Sequence, residues 1–413
     1  MFNRIHNIRT IAIQLQGTFV LTLIFLLIEF FDELHYGVDG AVLPAIRTDF
    51  GLTYGQIGLL LGLPHIIGSL IEPFIMLLGD TRLRKSLMIA GGVSLFLLLG
   101  GIARATTFPI LLAATLLNFP ASGAFVSLAQ ASLMDMNPGR QPQAMARWTV
   151  AGSLGNLIGP LMVAAGFNQG WGWRWSFATL SLLALALAVF LMTQKVRLRD
   201  TPSHVQRSDS IPAHALKLTL SNLKAAASNR LLLRWVGLLQ ISDLLLDVFT
   251  GYSVLYFADV VGFNPAQTSL LLALMMATSL VADLLLIPLL ERIPGRSLVR
   301  AAAGVATVLY PIWLLVPWLA VKIGLLVLLR LATMGWYQVL QGEAFASEPD
   351  RSGTVMAIGS VGSLLGGGLI WMVGWLAGLA GLPIAMWLLL VGPVGLWLFV
   401  PKSVAKHDGF QPQ

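Results

Sequence analysis

The sequence predicts an all-α membrane protein in which twelve transmembrane helices form two pseudo-twofold-related six-helix bundles. Three observations carry this. The 413 residues are 56% hydrophobic and only 11% charged, and a water-soluble chain of that length could not hide so much apolar surface. The apolar runs reach the roughly 20 residues that a spanning helix needs, and they do not alternate as spanning strands do. The second half also repeats the first at an offset of 211 residues.

In chain order the spans fall at 18–46, 54–78, 86–105, 109–134, 143–168 and 173–194. After a polar linker they resume at 230–258, 265–290, 297–316, 320–345, 351–377 and 381–401. The repeat sets Asp32 on Asp243, Gly51 on Gly262, Gln56 on Gln267 and Glu72 on Asp283. Further on, Gln130 meets Gln341, Pro138 meets Pro349 and Arg140 meets Arg351. Leucine matches are cheap in this composition, whereas matches at Asp, Gln, Pro and Arg are not. The domains are therefore 1–194, a cytoplasmic linker at 195–229, and 230–413. Six spans return the chain to its starting side, so the halves are parallel, an architecture of transporters that rock about a midplane site. Within the linker, Leu216, Leu220, Leu223 and Ala227 fall on one face of an amphipathic helix beside Lys217 and Lys224, which suits a helix lying on the membrane surface.

The net charge of +7 describes orientation and not nucleic-acid binding. Of 26 Lys and Arg, 21 lie on the side that holds the termini. Four lie opposite, at Arg47, Arg104, Arg174 and Lys322, and Arg330 falls inside a span. By the positive-inside rule both termini face the cytoplasm, which places the chain in a plasma membrane such as a bacterial inner membrane. The first span is too long for the core of a cleavable signal sequence. With no cysteine there are no disulfides, thiolate metal sites or thiol nucleophiles. No H-E-x-x-H or G-x-S-x-G motif supports an intramembrane enzyme, and no cofactor is implied.

Several motifs resemble those of the major facilitator superfamily, over essentially the whole chain. Between the second and third spans, Asp80-Thr81-Arg82-Leu83-Arg84-Lys85 is similar to the family's G-x-x-x-D-R-x-G-R-[KR] signature, without its first Arg and its Gly. Glu291-Arg292-Ile293-Pro294-Gly295-Arg296 is a second degenerate copy. The resemblance implies gating roles for Asp80, Arg84, Lys85, Glu291 and Arg296, with Arg140 and Arg351 as partners. The alternative is plain topology-setting charge. Gly155-Asn156-Leu157-Ile158-Gly159-Pro160 looks like the family's antiporter motif, and implies a bend at Pro160 that limits proton leak. An ordinary small-residue packing face is the alternative. The family's fourth-helix arginine is missing, since Asn118 and Phe119 occupy its neighbourhood, while Arg330 stands near its repeat position. Over residues 40–90 the chain is similar to the fosmidomycin-resistance-like exporters.

The first span carries the stretch Glu29–Asp39, EFFDELHYGVD. A charge at the membrane centre costs about 2.5–3.5 kcal/mol on insertion scales, so these acids must face water or a partner, or be protonated. At about 100° per residue from Asp32, Asp39 lies near about −20°, Tyr36 about 40°, Glu29 about 60° and His35 about −60°. Glu33 lies just beyond, at about 100°. One flank is thus expected to line a cavity, with Phe30, Phe31, Leu34 and Val38 on the other side. His65 and Glu72 share a face of the second span, and Asp243 and Asp247 are helical neighbours with Tyr252 and Tyr256 beyond. Asp283 lies in the eighth span, and Arg330, Tyr337 and Gln341 are expected on one face of the tenth. The resemblance implies a cavity lined by the first, second, fourth and fifth helices of each half. Arg330 is expected to pair with Asp243 or Asp283, because a lone buried charge is costly. His35 is the pH-sensitive candidate.

Acids outnumber the intramembrane arginine, which favours a cationic or neutral amphiphilic substrate exchanged for protons on Asp32, His35, Asp39, Glu72, Asp243 and Asp283. That reading runs against the phosphonate drug that names the nearest subgroup. The first function is therefore a proton-coupled exporter working as a monomer. The second is a symporter that imports a nutrient or a metal ion through His35, His65 and the carboxylates.

Overall fold

A computed structural model describes residues 2–79, 83–137, 141–194, 229–347 and 352–401. The linker helix, Asp80, Arg140 and Arg351 lie outside the described residues. Every regular element described is helical. We number the spans α1 (Phe2–Phe50), α2 (Tyr54–Gly79), α3 (Arg84–Arg104), α4 (Phe108–Asp135), α5 (Gln141–Asn168) and α6 (Arg174–Thr193). The second set is α7 (Arg230–Asp259), α8 (Pro265–Leu290), α9 (Gly295–Leu315), α10 (Leu319–Ala346), α11 (Ser352–Ala380) and α12 (Leu382–Phe399). Among the described residues ten helices are long and apolar enough to cross a membrane. The other two spans, α1 and α7, are those that carry the acids of Glu29–Asp39 and Asp243–Asp247. α1 starts well before the apolar run at 18, because nothing between Phe2 and Gln16 is a Gly or Pro that would stop it.

Two compact units divide the chain, Met1–Pro212 with Val254–Met276, and Ala213–Ser253 with Ala277–Gln413. In the first, α1 packs along α5, and α3 packs against α4 and α6. The α1–α5 seam exists because of glycine. A Cβ added at Gly155 would lie 2.2 Å from Phe30 O, and one at Gly159 would lie 2.6 Å from Leu34 O. From the other side, a Cβ at Gly37 would lie 2.7 Å from Asn156 O. Two backbones that close can be neighbours only where side chains are missing. The glycines of the Gly155–Pro160 motif thus pack directly on the acid-bearing helix.

The repeat is visible in the local chemistry. At the entry to α2, Thr53 N–H donates to Gln56 Oε1 at 2.9 Å while Gln56 N–H donates to Thr53 Oγ1 at 3.2 Å. At the entry to α8, Asn264 N–H donates to Gln267 Oε1 and Gln267 N–H to Asn264 Oδ1, both at 2.9 Å. These are two reciprocal capping boxes at one repeat register. Gly51 and Gly262 precede them with φ of 61° and 85°, a region that glycine enters without a Cβ penalty.

Helix regularity fails where the sequence alone gives no warning. α4 contains a π turn at Gly123–Ser127 and α7 another at Leu244–Val248. α10 breaks between Ala332 and Trp336, with Gly335 at φ 75°. The α4 turn and the α10 break fall at equivalent repeat positions, so both halves interrupt the same helix by different means. In the second unit α7 packs against α10, α11 and α12, and α9 packs against α12. Lys322, expected in an outer loop, is instead 4% exposed, with Nζ donating to Trp313 O at 2.8 Å and Leu314 O at 3.3 Å. It neutralises carbonyls at the C-terminal end of α9, where a cation is favoured.

Gly155→Ala is expected to lower the thermal unfolding midpoint of the purified protein, in line with a cost of about 1–3 kcal/mol for overpacking. Gly101→Ala, where an added Cβ meets nothing within 4 Å, is the control that does not lower it.

Candidate functional site

The acids of α1 do not share one wall. Glu29 and Glu33 turn toward α5, where Asn156 Nδ2 donates to Glu33 Oε2 at 3.1 Å and a Cβ at Gly152 would lie 2.6 Å from Glu29 Oε1. Asp32 and His35 turn toward α4. Ser122 Oγ donates to Asp32 Oδ1 at 2.5 Å, and Asn118 Nδ2 lies 3.2 Å from His35 Nε2. Tyr36 is exposed and Asp39 half-exposed, while Glu29 and His35 are buried. The single cavity-lining flank expected from helical phase is thus split between two helix contacts, because α1 is clasped on both sides. The apolar side behaves as expected, with Phe31, Leu34 and Val38 all buried.

His35 has one ring nitrogen placed between two partners. Its Nε2 lies 3.2 Å from Asn118 Nδ2 and 3.3 Å from Asp39 Oδ2. A donor and an acceptor on one ring nitrogen cannot both be served, so the proton on that nitrogen decides which contact is a hydrogen bond. Asn118 Oδ1 is buried with no hydrogen-bond partner, and the amide can satisfy it by rotating. Phe31 stacks beside the imidazole and Phe177 meets it edge-on.

The second-span acids are held alike in both halves. Ser127 Oγ donates to Glu72 Oε1 at 2.8 Å, and Gln338 Nε2 donates to Asp283 Oδ1 at 3.1 Å. Ser127 and Gln338 are 211 residues apart, as are Glu72 and Asp283, so one interaction is written twice. Neither donor is foreseen in the sequence, although the repeat register would have led from one to the other. Ser122 had a signal too, since it lies one turn beyond Asn118. His65 lies against Phe119 with ring centroids 5.0 Å apart, so His65 and Glu72 both face α4, as their spacing requires.

Two expectations in the second unit need correction, while Arg330 gains neutral hydrogen-bond partners beside its electrostatic interaction with Asp283. Nε and NH2 donate to Ser279 Oγ at 3.1 and 2.7 Å, and NH1 donates to Leu246 O and Thr250 Oγ1 at 3.2 and 3.1 Å. Leu246 belongs to the π turn of α7, so that irregularity helps receive the guanidinium. Arg330, Tyr337 and Gln341 do not share a face, because the break at Gly335 resets the helical phase. Arg330 is buried, Tyr337 exposed and Gln341 half-buried. Tyr252 and Tyr256 are packing residues and not wall residues. Tyr252 is fully buried with its hydroxyl donating to Ile370 O at 3.1 Å, and Tyr256 is 6% exposed. Asp243 immediately precedes the π turn of α7 and Asp247 lies within it.

At the helix ends that carry the motif residues, Arg84 binds Asp135 at 2.6 Å and Gly79 O at 2.7 Å. Lys85 binds Gln194 O, and Arg296 binds Glu343, with Nε 2.6 Å from Oε1. Glu291 is exposed. Asp135 and Glu343 therefore supply acids that the motif comparison does not name. Among the described residues no group of three His, Asp or Glu side chains could hold a metal ion.

An all-helical membrane fold with protonatable side chains buried along α1 defines a secondary transporter. The family model of the major facilitator superfamily matches residues 25–370, and the chain belongs to that superfamily. No curated sequence shows significant similarity. Solved structures share the fold at low identity. A bacterial homologue of the human lysosomal transporter Spinster, inward-facing and unoccupied, has a TM-score of 0.72 at 15% identity, covering 93% of this chain and 95% of that one. The D-xylose-proton symporter has a TM-score of 0.72 at 17% identity, covering 93% and 98%. The nucleoside transporter NupG has a TM-score of 0.69 at 14%, covering 91% and 97%. The chain is a multi-pass membrane transporter of small molecules.

Ser279→Ala removes an acceptor that serves two guanidinium nitrogens, and is expected to cost about 1–3 kcal/mol as a lower thermal midpoint. An unchanged midpoint would mean that Arg330 is held elsewhere.

Proposed function

We propose that the chain is a proton-coupled antiporter that exports a cationic or neutral amphiphilic small molecule by alternating access. The observation that carries this reading is the chemistry around the membrane acids. Asp32 and Glu72 have Ser122 and Ser127 as their described hydrogen-bond partners. Neutral donors tolerate both a carboxylate and a carboxylic acid, whereas a permanent cation partner would fix the ionised form. Asp32, His35, Asp39 and Glu72 are the proton-carrying set, with Asp243 and Asp283 as repeat counterparts. The half-exposed Asp39 and exposed Tyr36 are the residues of α1 placed to meet substrate.

The likeness of residues 40–90 to fosmidomycin-resistance-like exporters and the Gly155–Pro160 motif support export. The strongly one-sided lysine and arginine distribution supports a plasma-membrane location with both termini cytoplasmic, and nothing in the mechanism needs more than a monomer. A second reading, a proton symporter that imports a nutrient, gains support from the D-xylose-proton symporter among the structures of like fold.

Proteoliposomes with an imposed pH gradient separate the two readings, using ethidium and related cationic dyes as probes. An antiporter accumulates dye when the lumen is acidic, and a symporter when the outside is acidic. Asp32→Asn and Glu72→Gln are expected to reduce gradient-driven accumulation to the rate of empty liposomes. Uphill uptake that survives both substitutions would overturn the proton role of these acids.

A further inference from the structure

At the end of the molecule opposite the termini, α7 finishes on Asp259, where the helix dipole disfavours an acid. Its position therefore answers to something outside its own helix. Arg47, in the last turn of α1, donates through NH1 to Asp259 Oδ1 at 2.8 Å. Tyr54, the first residue of α2, donates its hydroxyl to Asp259 Oδ2 at 2.8 Å. The Arg47 guanidinium also lies 4.3 Å from the centre of the Tyr54 ring. Both oxygens of one carboxylate are thus taken, by two helices of the first half, and the cation is braced on an aromatic face. The side chains of Arg47 and Asp259 are only 25% and 21% exposed, so water screens this pair less than an ordinary surface pair.

Directly beneath, α8 is sealed against α1. Ser269 is fully buried and lies 3.4 Å from Ala41 O, and a Cβ added at Gly40 would lie 3.0 Å from Leu272 Cδ2. The cluster is asymmetric within the repeat. Arg47 corresponds to Ala258 and Asp259 to Thr48, so the duplicated halves hold one latch and not two. One feature keeps it reversible, namely that Arg47 Nε is buried with no hydrogen-bond partner. A stranded donor penalises the closed arrangement and recovers water when the contact opens.

We infer that Arg47, Tyr54 and Asp259 form a latch that holds the far ends of α1, α2 and α7 closed, and that opening toward that side requires its release. The inference goes beyond the proton-coupled reading, and it is tested without substrate or proton gradient. The chain has no cysteine, so Ser269→Cys supplies one reporter beneath the latch. Its reaction with a membrane-impermeant maleimide is followed in nanodiscs, with a cooperative thermal transition checked on each sample. In the Ser269→Cys parent, labelling is slow. Adding Arg47→Gln or Asp259→Asn raises the rate about tenfold, and Tyr54→Phe raises it less because the ring remains. The charge exchange Arg47→Asp with Asp259→Arg brings the rate back toward the parent, which general unfolding would not do. Labelling no faster in the single variants than in the parent overturns the latch, as does labelling in the exchange as fast as in the singles.

Discussion

A carboxyl group inside a bilayer must be protonated, hydrated or hydrogen-bonded, and α1 carries five acids within one membrane-spanning helix, counting Asp49 at its end. Much of the first unit answers that constraint. Glycines on α5 bring its backbone against α1, so that Glu29 and Glu33 are enclosed beside Asn156. A serine and an asparagine on α4 meet Asp32 and His35. The acids thereby become part of the helix packing. Any change in their charge is felt at two helix contacts at once, which a transporter needs if protonation is to bias its conformation.

Duplication lets the halves specialise within one frame. Glu29, which lies in the notch of Gly152, corresponds to Gln240. In the second half the side chain again sits in a glycine notch, where a Cβ at Gly366 would lie 2.5 Å from Gln240 Oε1. An ionisable group has become a neutral amide of nearly the same shape. Conversely, Asn118 stands near the position whose counterpart region carries Arg330. The first half concentrates carboxyl and imidazole groups, and the second holds a permanent buried cation among Ser279, Thr250 and Leu246 O.

The fold was legible because hydropathy, charge bias and internal repeat are all linear in the chain. That α5 offers a close-packing face was legible too, from glycines four apart on a spanning helix, but its partner α1 was not. The site was legible in part. Which residues carry charge could be read, but which helix each would face could not. Helical phase assumes an unbroken helix, and the π turns of α4 and α7 and the break at Gly335 violate that assumption. Tyr337 and Gln341 were misplaced for this reason. The neutral acceptors of Arg330 were not legible. Hydroxyls and carbonyls that receive a guanidinium equally well carry no mark in sequence. Arg47 and Asp259 escaped because their contact breaks the repeat.

The central claim is that a carboxyl of α1 gains and loses a proton while buried. Infrared difference spectroscopy of the lipid-reconstituted protein, titrated across neutral pH, reads the carbonyl stretch of a protonated side chain directly. The account predicts a protonated-carboxyl band that fades as pH rises and is missing from Asp32→Asn. A spectrum without a titrating carboxyl band, or one identical in wild type and Asp32→Asn, would contradict it.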